Sequence, residues 1–463
     1  MVVNKQAEVE ELYKYNHLVG RVENRNTIII PEFELECGET LYSVPVAYSA
    51  FGELNEAKDN CIVVCHAFSG NSDVSEWWGP LLGSGKAFDT DKFFVICCNV
   101  LGAPYGTASP LTLDKRTGKN YGPTFPLTSV RDDVRLHKRV IVDELGVKEI
   151  ALVIGGSMGG MQALEWAFTY KDIVKTFVPM ATSGRHSAWG ISWGEMQRQA
   201  IYGDQNYNNG YYTMDKKPDH GLSTARIAGM LTYRSFESAH RKFGRKTQGR
   251  HLKRLNARET TSEGDKETTT KATNGTKTNS NPNTNPNDDR DAPTIYSAQG
   301  YLRYQGEKFV DRYDANCFLA ISKKLDTHDL TYHHPKFNYL DGQEGTSDNT
   351  TFGAEDDEEL DEEEMYKQVL ASAQQPCMVV GIENDGIFSI KEQYELAKYI
   401  PNAKMELLSS TEGHDGFLLE VKQVSRMLKR FIRENLPKFN SDEDSDSSIC
   451  SAESSMSYLM YSK

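Results

Sequence analysis

The stretch Glu149 to Trp166, EIALVIGGSMGGMQALEW, constrains this chain more than any other. Ile150 to Ile154 is an apolar run of strand length, two glycines stand on either side of the Ser157 turn, and Met161, Leu164 and Trp166 suit a buried helix. A strand that turns this sharply into a helix brings backbones together, and a Cβ at the flanking positions would clash. The serine hydroxyl is then pushed out above the sheet, the arrangement of a nucleophile elbow, G-x-S-x-G. Glycine-rich strand-to-helix turns also cradle phosphates. The spacing fits neither G-x-G-x-x-G nor a lysine-bearing phosphate loop, and neither accounts for a central serine.

The flanking chain supplies the sheet that such an elbow needs. Cys61 to His66 (CIVVCH) and Phe93 to Cys98 (FFVICC) are continuous apolar runs, as expected of strands covered on both faces. Thr27 to Cys37 and Thr40 to Ser49 read as a hairpin leading into them. Val130 to Leu145 has helical spacing and ends at Gly146, and Lys175 to Met180 is another short strand. From Ser183 to about Ala371 the alternation lapses into Tyr, Gly, Asn and charge, with helical stretches at Leu222 to Tyr233 and Tyr313 to Lys324. It returns at Cys377 to Ile382, Lys391 to Ile400, Lys404 to Leu408 and a last helix from Phe417 to Asn435. The expected organisation is one α/β domain in two parts, 1–182 and 372–440, interrupted by a mostly helical cap over 183–371. The tracts 259–293 and 343–364 within the cap are too poor in apolar residues to offset the entropy of ordering them, and the Ser/Asp tail 441–463 is expected to be disordered as well.

Composition narrows the rest. Of the net charge of −14, the acidic run Glu355 to Glu364 and the tail account for all but −1, so the acidity belongs to appendages and says little about a substrate. Cys61, Cys65, Cys97 and Cys98 lie in apolar runs, the place of reduced thiols, and no C-x-x-C pair suggests a metal site. The N-terminus lacks an apolar signal core, and no run approaches the roughly 18 apolar residues of a membrane span. A cytoplasmic protein with no membrane or nucleic-acid partner is expected. His240 to Arg258 holds eight Lys/Arg in 19 residues; it could bind nucleic acid, direct nuclear import or meet the phosphates of a ligand, but with only Phe243 available for base stacking it reads first as a solvated basic face.

Serine chemistry needs a base, usually a histidine held by a carboxylate. After an elbow serine the order is acid, then histidine. Of eleven histidines only His414 follows the returning strands, in the turn Glu412-Gly-His-Asp-Gly416. The acid belongs after CMVVGI, where Glu383 and Asp385 are candidates; Asp385, just before Gly386, is preferred, although a carboxylate there could simply cap the next helix. An oxyanion hole would use the N–H of Met158 and one from the loop after an early strand, that of Ala67 or Phe68; His66 reads as shaping that loop. These residues give an acyl-enzyme and leave its acceptor open, water or an alcohol.

Several stretches carry a resemblance: HAFSG from His66 to Gly70, NVLG from Asn99, Phe125-Pro126 followed by Arg131-Asp132, GGSMGGMQALEWA from Gly155, GLSTARIAGMLTYRS from Gly221, KFVDRYDAN from Lys308 and GHDGFL from Gly413. Together they resemble the homoserine O-acetyltransferase family of α/β-hydrolase-fold enzymes over nearly the whole ordered chain. The resemblance implies an α/β-hydrolase fold with an inserted helical cap and Ser157, Asp385 and His414 as nucleophile, acid and base. It further implies Arg226, Tyr233 and Asp415 as the groups that recognise homoserine. An arginine fork suits the acceptor's carboxylate and Asp415 its ammonium; read without the family, Arg226 is a surface residue and Asp415 a helix cap.

The implied activity is ping-pong transfer of acetyl from acetyl-CoA, a co-substrate, to the homoserine hydroxyl in methionine biosynthesis. No permanently bound cofactor or metal is implied, and a homodimer joined through the cap is. The chain departs from the family at Ser69, where threonine is common, and at Asn71, where an acidic residue is. Rival readings are an esterase of the same fold, an acyltransferase using serine or succinyl-CoA, and a non-catalytic scaffold.

Overall fold

Eight strands form the central sheet: β1 (Asn26–Glu34), β2 (Thr40–Phe51), β3 (Cys61–Cys65), β4 (Phe94–Cys98), β5 (Ile150–Gly156), β6 (Phe177–Met180), β7 (Cys377–Gly381) and β8 (Ala403–Leu407). The computed structural model describes residues 3–247, 295–332, 337–338, 343–344 and 362–440. The tract 259–293, most of 343–364, residues 248–258 and the tail 441–463 lie outside the described residues.

The sheet order is β1-β2-β4-β3-β5-β6-β7-β8, antiparallel among β1, β2 and β4 and parallel from β4 onward. This mostly parallel order bears out the α/β reading, and the continuous apolar runs have the expected cause. Cys61, Val63 and Cys65 face one core cluster while Ile62 and Val64 face another, so both faces of β3 are covered. On the first face lie Trp166 and Phe168 of helix Met158–Thr169 and Val134 of helix Val130–Lys138. On the second, helix Val421–Asn435 buries Val424, Leu428, Phe431 and Ile432, the i, i+4, i+7, i+8 stripe of an amphipathic helix.

Between β6 and β7 come the cap helices Ala188–Tyr202, Asp219–Tyr233, Phe236–Phe243, Ser297–Val310 and Ala315–Asp326. The structure differs from expectation at the far edge of this segment. Glu362–Ala371 is a helix whose Tyr366, Val369 and Leu370 join the core beside the sheet. Its three leading glutamates, which read as the end of an acidic run, occupy the first turn, where negative charge suits the helix dipole. The expected helix Val130 to Leu145 is also not uniform: after Lys138 it widens into a π-helical segment, Arg139–Glu144, before Gly146 closes it at φ +76°. Among the described residues, no helix is long and apolar enough to cross a membrane.

Candidate active site

Ser157 sits where β5 becomes helix Met158–Thr169, with φ 60° and ψ −127°, a conformation that costs a side-chain-bearing residue about 1–3 kcal/mol. Its surroundings impose it. The Ser157 N–H donates to the Met180 carbonyl at 3.0 Å, and the Thr182 hydroxyl donates to the Ser157 carbonyl at 2.8 Å. The glycines show why nothing larger fits: a Cβ on Gly159 would overlap the Cys65 carbonyl at the end of β3, and one on Gly156 would enter the Phe417 ring.

That ring ties the elbow to the histidine loop, for its centroid lies 5.5 Å from the His414 imidazole. His414 Nδ1 lies 2.6 Å from Asp385 Oδ2, and the Asp385 side chain is fully covered. The other Asp385 oxygen accepts from the Ile387 and Phe388 amides, each at 2.9 Å, so the carboxylate is both caged and oriented. Glu383, the other candidate acid, is exposed. Burial alone would lower the His414 pKa; the Asp385 carboxylate, its hydrogen bond and neighbouring Asp415 outweigh it and hold the imidazole above its ordinary value.

The loop after β3 is fixed by His66. This residue is fully buried, and its Nε2 accepts from the Val100 N–H at 3.1 Å, so the proton resides on Nδ1, which donates to the Ala67 carbonyl at 2.9 Å. Burial pushes its pKa down to about 4, which keeps the ring neutral and shaping the loop, as its position in the sequence suggested. Because the Ala67 carbonyl points at His66 and Gly70, the planar peptide turns the Phe68 N–H to the opposite side. The Phe68 carbonyl accepts from Tyr313 at 3.1 Å. The Met158 N–H belongs to the first turn of its helix, where donors have no intrahelical acceptor.

The cap closes over these loops. A Cβ on Gly386 would lie 2.5 Å from the Thr232 carbonyl, and one on Gly413 2.7 Å from the Tyr233 carbonyl, so the end of helix Asp219–Tyr233 rests on both the acid loop and the base loop. Arg226, on that helix, has its guanidinium carbon 5.4 Å from the Tyr233 ring centroid. The Asp415 pKa is raised by burial, against the pull of Arg234, His414 and Arg226, so Asp415 and Arg226 share one electrostatic neighbourhood.

Sequence reading missed Arg234. Its Nε lies 3.3 Å from Asp415 and its Nη1 2.7 Å from Glu412, so Asp415 is already engaged by one cation. It missed Lys324 too, whose fully buried ammonium lies 2.6 Å from Asp133 and 2.7 Å from the Leu101 carbonyl. Arg234 lies within a motif of the resemblance and Lys324 at the end of the helical stretch Tyr313 to Lys324, but nothing in a linear pattern shows that their partners are distant in sequence. The basic helix Phe236–Phe243 gains aromatic neighbours from elsewhere in the chain: Lys242 lies 4.4 Å from the Tyr301 ring centroid.

Known proteins are similar to this chain at every level. A family model described as the alpha/beta hydrolase fold matches residues 60–421. A homoserine O-acetyltransferase of Emericella nidulans is 45% identical over 93% of this chain and 91% of its own length. One of Saccharomyces cerevisiae is 43% identical over the same shares. The crystal structure of a homoserine O-acetyltransferase from Bacillus anthracis superposes with a TM-score of 0.67 at 20% identity, covering 88% of this chain and 97% of that one, a likeness of fold. With the chain matched nearly end to end at these identities, it belongs to the homoserine O-acetyltransferase family of α/β-hydrolase-fold acyltransferases.

Proposed function

We propose that the protein transfers acetyl from acetyl-CoA to the hydroxyl of L-homoserine, a step toward methionine, through an acetyl ester on Ser157. The observation that carries this is the 2.6 Å Asp385–His414 pair, with the elbow on one side and a cap bearing Arg226 and Tyr233 on the other. Ser157 Oγ attacks the thioester carbonyl while His414 Nε2 takes its proton. The Met158 amide and that of Phe68 or Ala67 stabilise the tetrahedral oxyanion, and the proton leaves on the CoA sulfur as the C–S bond breaks. The homoserine hydroxyl then gives its proton to His414 and attacks the ester, and collapse returns that proton to Ser157 Oγ. Asp385 holds the ring in the productive tautomer and stabilises the imidazolium. Tyr233 and Arg226 bind the acceptor's carboxylate, and Asp415 its ammonium.

Purified protein with acetyl-CoA and a thiol reagent is expected to release CoA in steady state only when L-homoserine is present. Full-rate release without acceptor would assign a hydrolase, and equal rates with serine or succinyl-CoA would assign a different acyltransferase. The imidazole must be neutral to accept a proton, so the rate rises with pH, with a midpoint above the 6.5 of an ordinary histidine.

A homodimer joined through the cap is supported by a groove of about 610 Å³ lined by Trp189, Trp193, Leu231 and Phe236. Leu231 is 62% and Phe236 81% exposed, an apolar surface of the kind that marks an interface. Sedimentation that finds only monomer at micromolar concentration would remove it.

A further inference from the structure

Helices Asp219–Tyr233 and Ser297–Val310 pack side by side in the cap, and polar groups collect along their contact. The guanidinium carbons of Arg226 and Arg312 lie 5.0 and 5.3 Å from the centroid of one ring, Phe309, which is 1% exposed. Among the described residues neither arginine has a carboxylate within 4.0 Å, and the nearby Asp415 is paired with Arg234. Arg226 Nε is buried and has no hydrogen-bond partner. Tyr301 Oη and Gln305 Nε2, two turns and one turn before Phe309 on the same helix, are buried in the same condition. Buried polar groups are ordinarily satisfied, and two cations sharing one apolar ring repel each other. Burial together with Arg226 weakens the Arg312 cation, as expected where no anion balances the pair.

We propose that Arg312 and Arg226 form a single anion site across the Phe309 ring and that its ligand is the α-carboxylate of the amino-acid acceptor. The proposal rests on the function given above for the acceptor's identity. A carboxylate suits the site better than a donor phosphate because Asp415, which Arg226 feels electrostatically, repels a phosphate and attracts the ammonium an α-amino acid carries next to its carboxylate. Arg226 is implied by the family motif; Arg312 is the addition, a specificity-determining residue that reaches the site from the turn after helix Ser297–Val310.

The test compares L-homoserine with 3-aminopropan-1-ol, an acceptor of similar reach without a carboxylate. Arg312→Gln is expected to raise the homoserine KM about 10- to 100-fold, the range for losing a charge-assisted hydrogen bond, and to leave the aminopropanol rate unchanged. Acetylation of the enzyme by acetyl-CoA, followed as a burst of CoA, is expected to be unaffected. Arg312→Lys, which keeps the charge without the fork, is expected to recover part of the loss, and it decides the matter if the Gln variant fails to fold. An equal loss for both acceptors, or a slower burst, would overturn the assignment. A wild-type protein that forms no acetyl-enzyme would instead defeat the function on which it rests, whereas a normal burst with an unchanged homoserine KM would defeat Arg312 alone.

Discussion

Replacing Ser157 with alanine is expected to lower kcat/KM for acetyl transfer by roughly 10,000-fold or more, because on the proposed mechanism the group that forms the covalent ester is gone while the remaining site still binds substrate. Intact-mass measurement after mixing with acetyl-CoA should find an acetyl adduct on the parent and none on the variant. An adduct of equal abundance on the variant would move the nucleophile elsewhere. Stability should behave oppositely at this position. Ser157 holds φ 60° because Met180 and Thr182 fix its backbone, and alanine inherits that strain. Glycine does not, so Ser157→Gly is expected to be inactive yet more stable than the parent by about 1 kcal/mol in denaturant titration. A glycine variant less stable than the alanine variant would show that the elbow stores no strain.

Lys324→Met is expected to have the largest effect on stability. Lys324 and Asp133 are both 0% exposed, and the ammonium contacts both carboxylate oxygens at 2.6 and 2.7 Å and the Leu101 carbonyl at 2.7 Å. Removing one partner strands the other, at a cost of about 3–5 kcal/mol. The penalty depends on pH with a definite sign. Burial raises Asp133 from 3.8 to about 6 even with Lys324 lowering it, so without the lysine it rises further. The parent's folded Asp133 releases its proton near pH 6, whereas in the variant the folded state keeps a proton that the unfolded state has released, so the deficit grows as pH climbs above about 6 and is smallest in acid. Melting curves over that range provide the check; a deficit below about 1 kcal/mol, or one largest in acid, would contradict it. The pair also supports the loop after β3. The Leu101 amide donates to Asp133 at 2.8 Å, and its neighbour Val100 donates to His66, which positions Ala67. A fall in kcat among molecules that remain folded is therefore expected too.

The elements that sequence made legible are those whose physics is local. Strands β3, β4 and β5 announce themselves because both faces are covered and every position is apolar. The elbow does so because Gly155, Gly156, Gly159 and Gly160 each face a neighbour that leaves no room for a Cβ. His414 and Asp385 were reachable by chain order, and they lie 2.6 Å apart. The cap was not legible in the same way. Helix Ala188–Tyr202 exposes Trp189, and helix Ser297–Val310 buries Gln305 with Phe309, so their faces do not divide into apolar and polar. A helix that lines a site for a charged ligand loses the periodicity by which helices are recognised. Arg234 and Lys324 escaped for a related reason: each takes its meaning from a partner on another element, and no spacing along the chain encodes that pairing.

The contacts between the cap and the two loops beneath it bear on the fidelity of the reaction. Trp189 donates to the Gly386 carbonyl at 2.9 Å, Arg234 grips Glu412 and Asp415, and the carbonyls of Thr232 and Tyr233 abut Gly386 and Gly413. A cap fastened to Gly386 beside Asp385, and to Glu412 and Asp415 on the two sides of His414, is expected to pull on both loops when it lifts. Excursions that flood the site with solvent are therefore expected also to disarm the proposed base, which would otherwise activate a water molecule. The acetyl ester is least vulnerable to hydrolysis at the moments when water is most plentiful, so leakage is held down by coupling access to competence as well as by a tight enclosure.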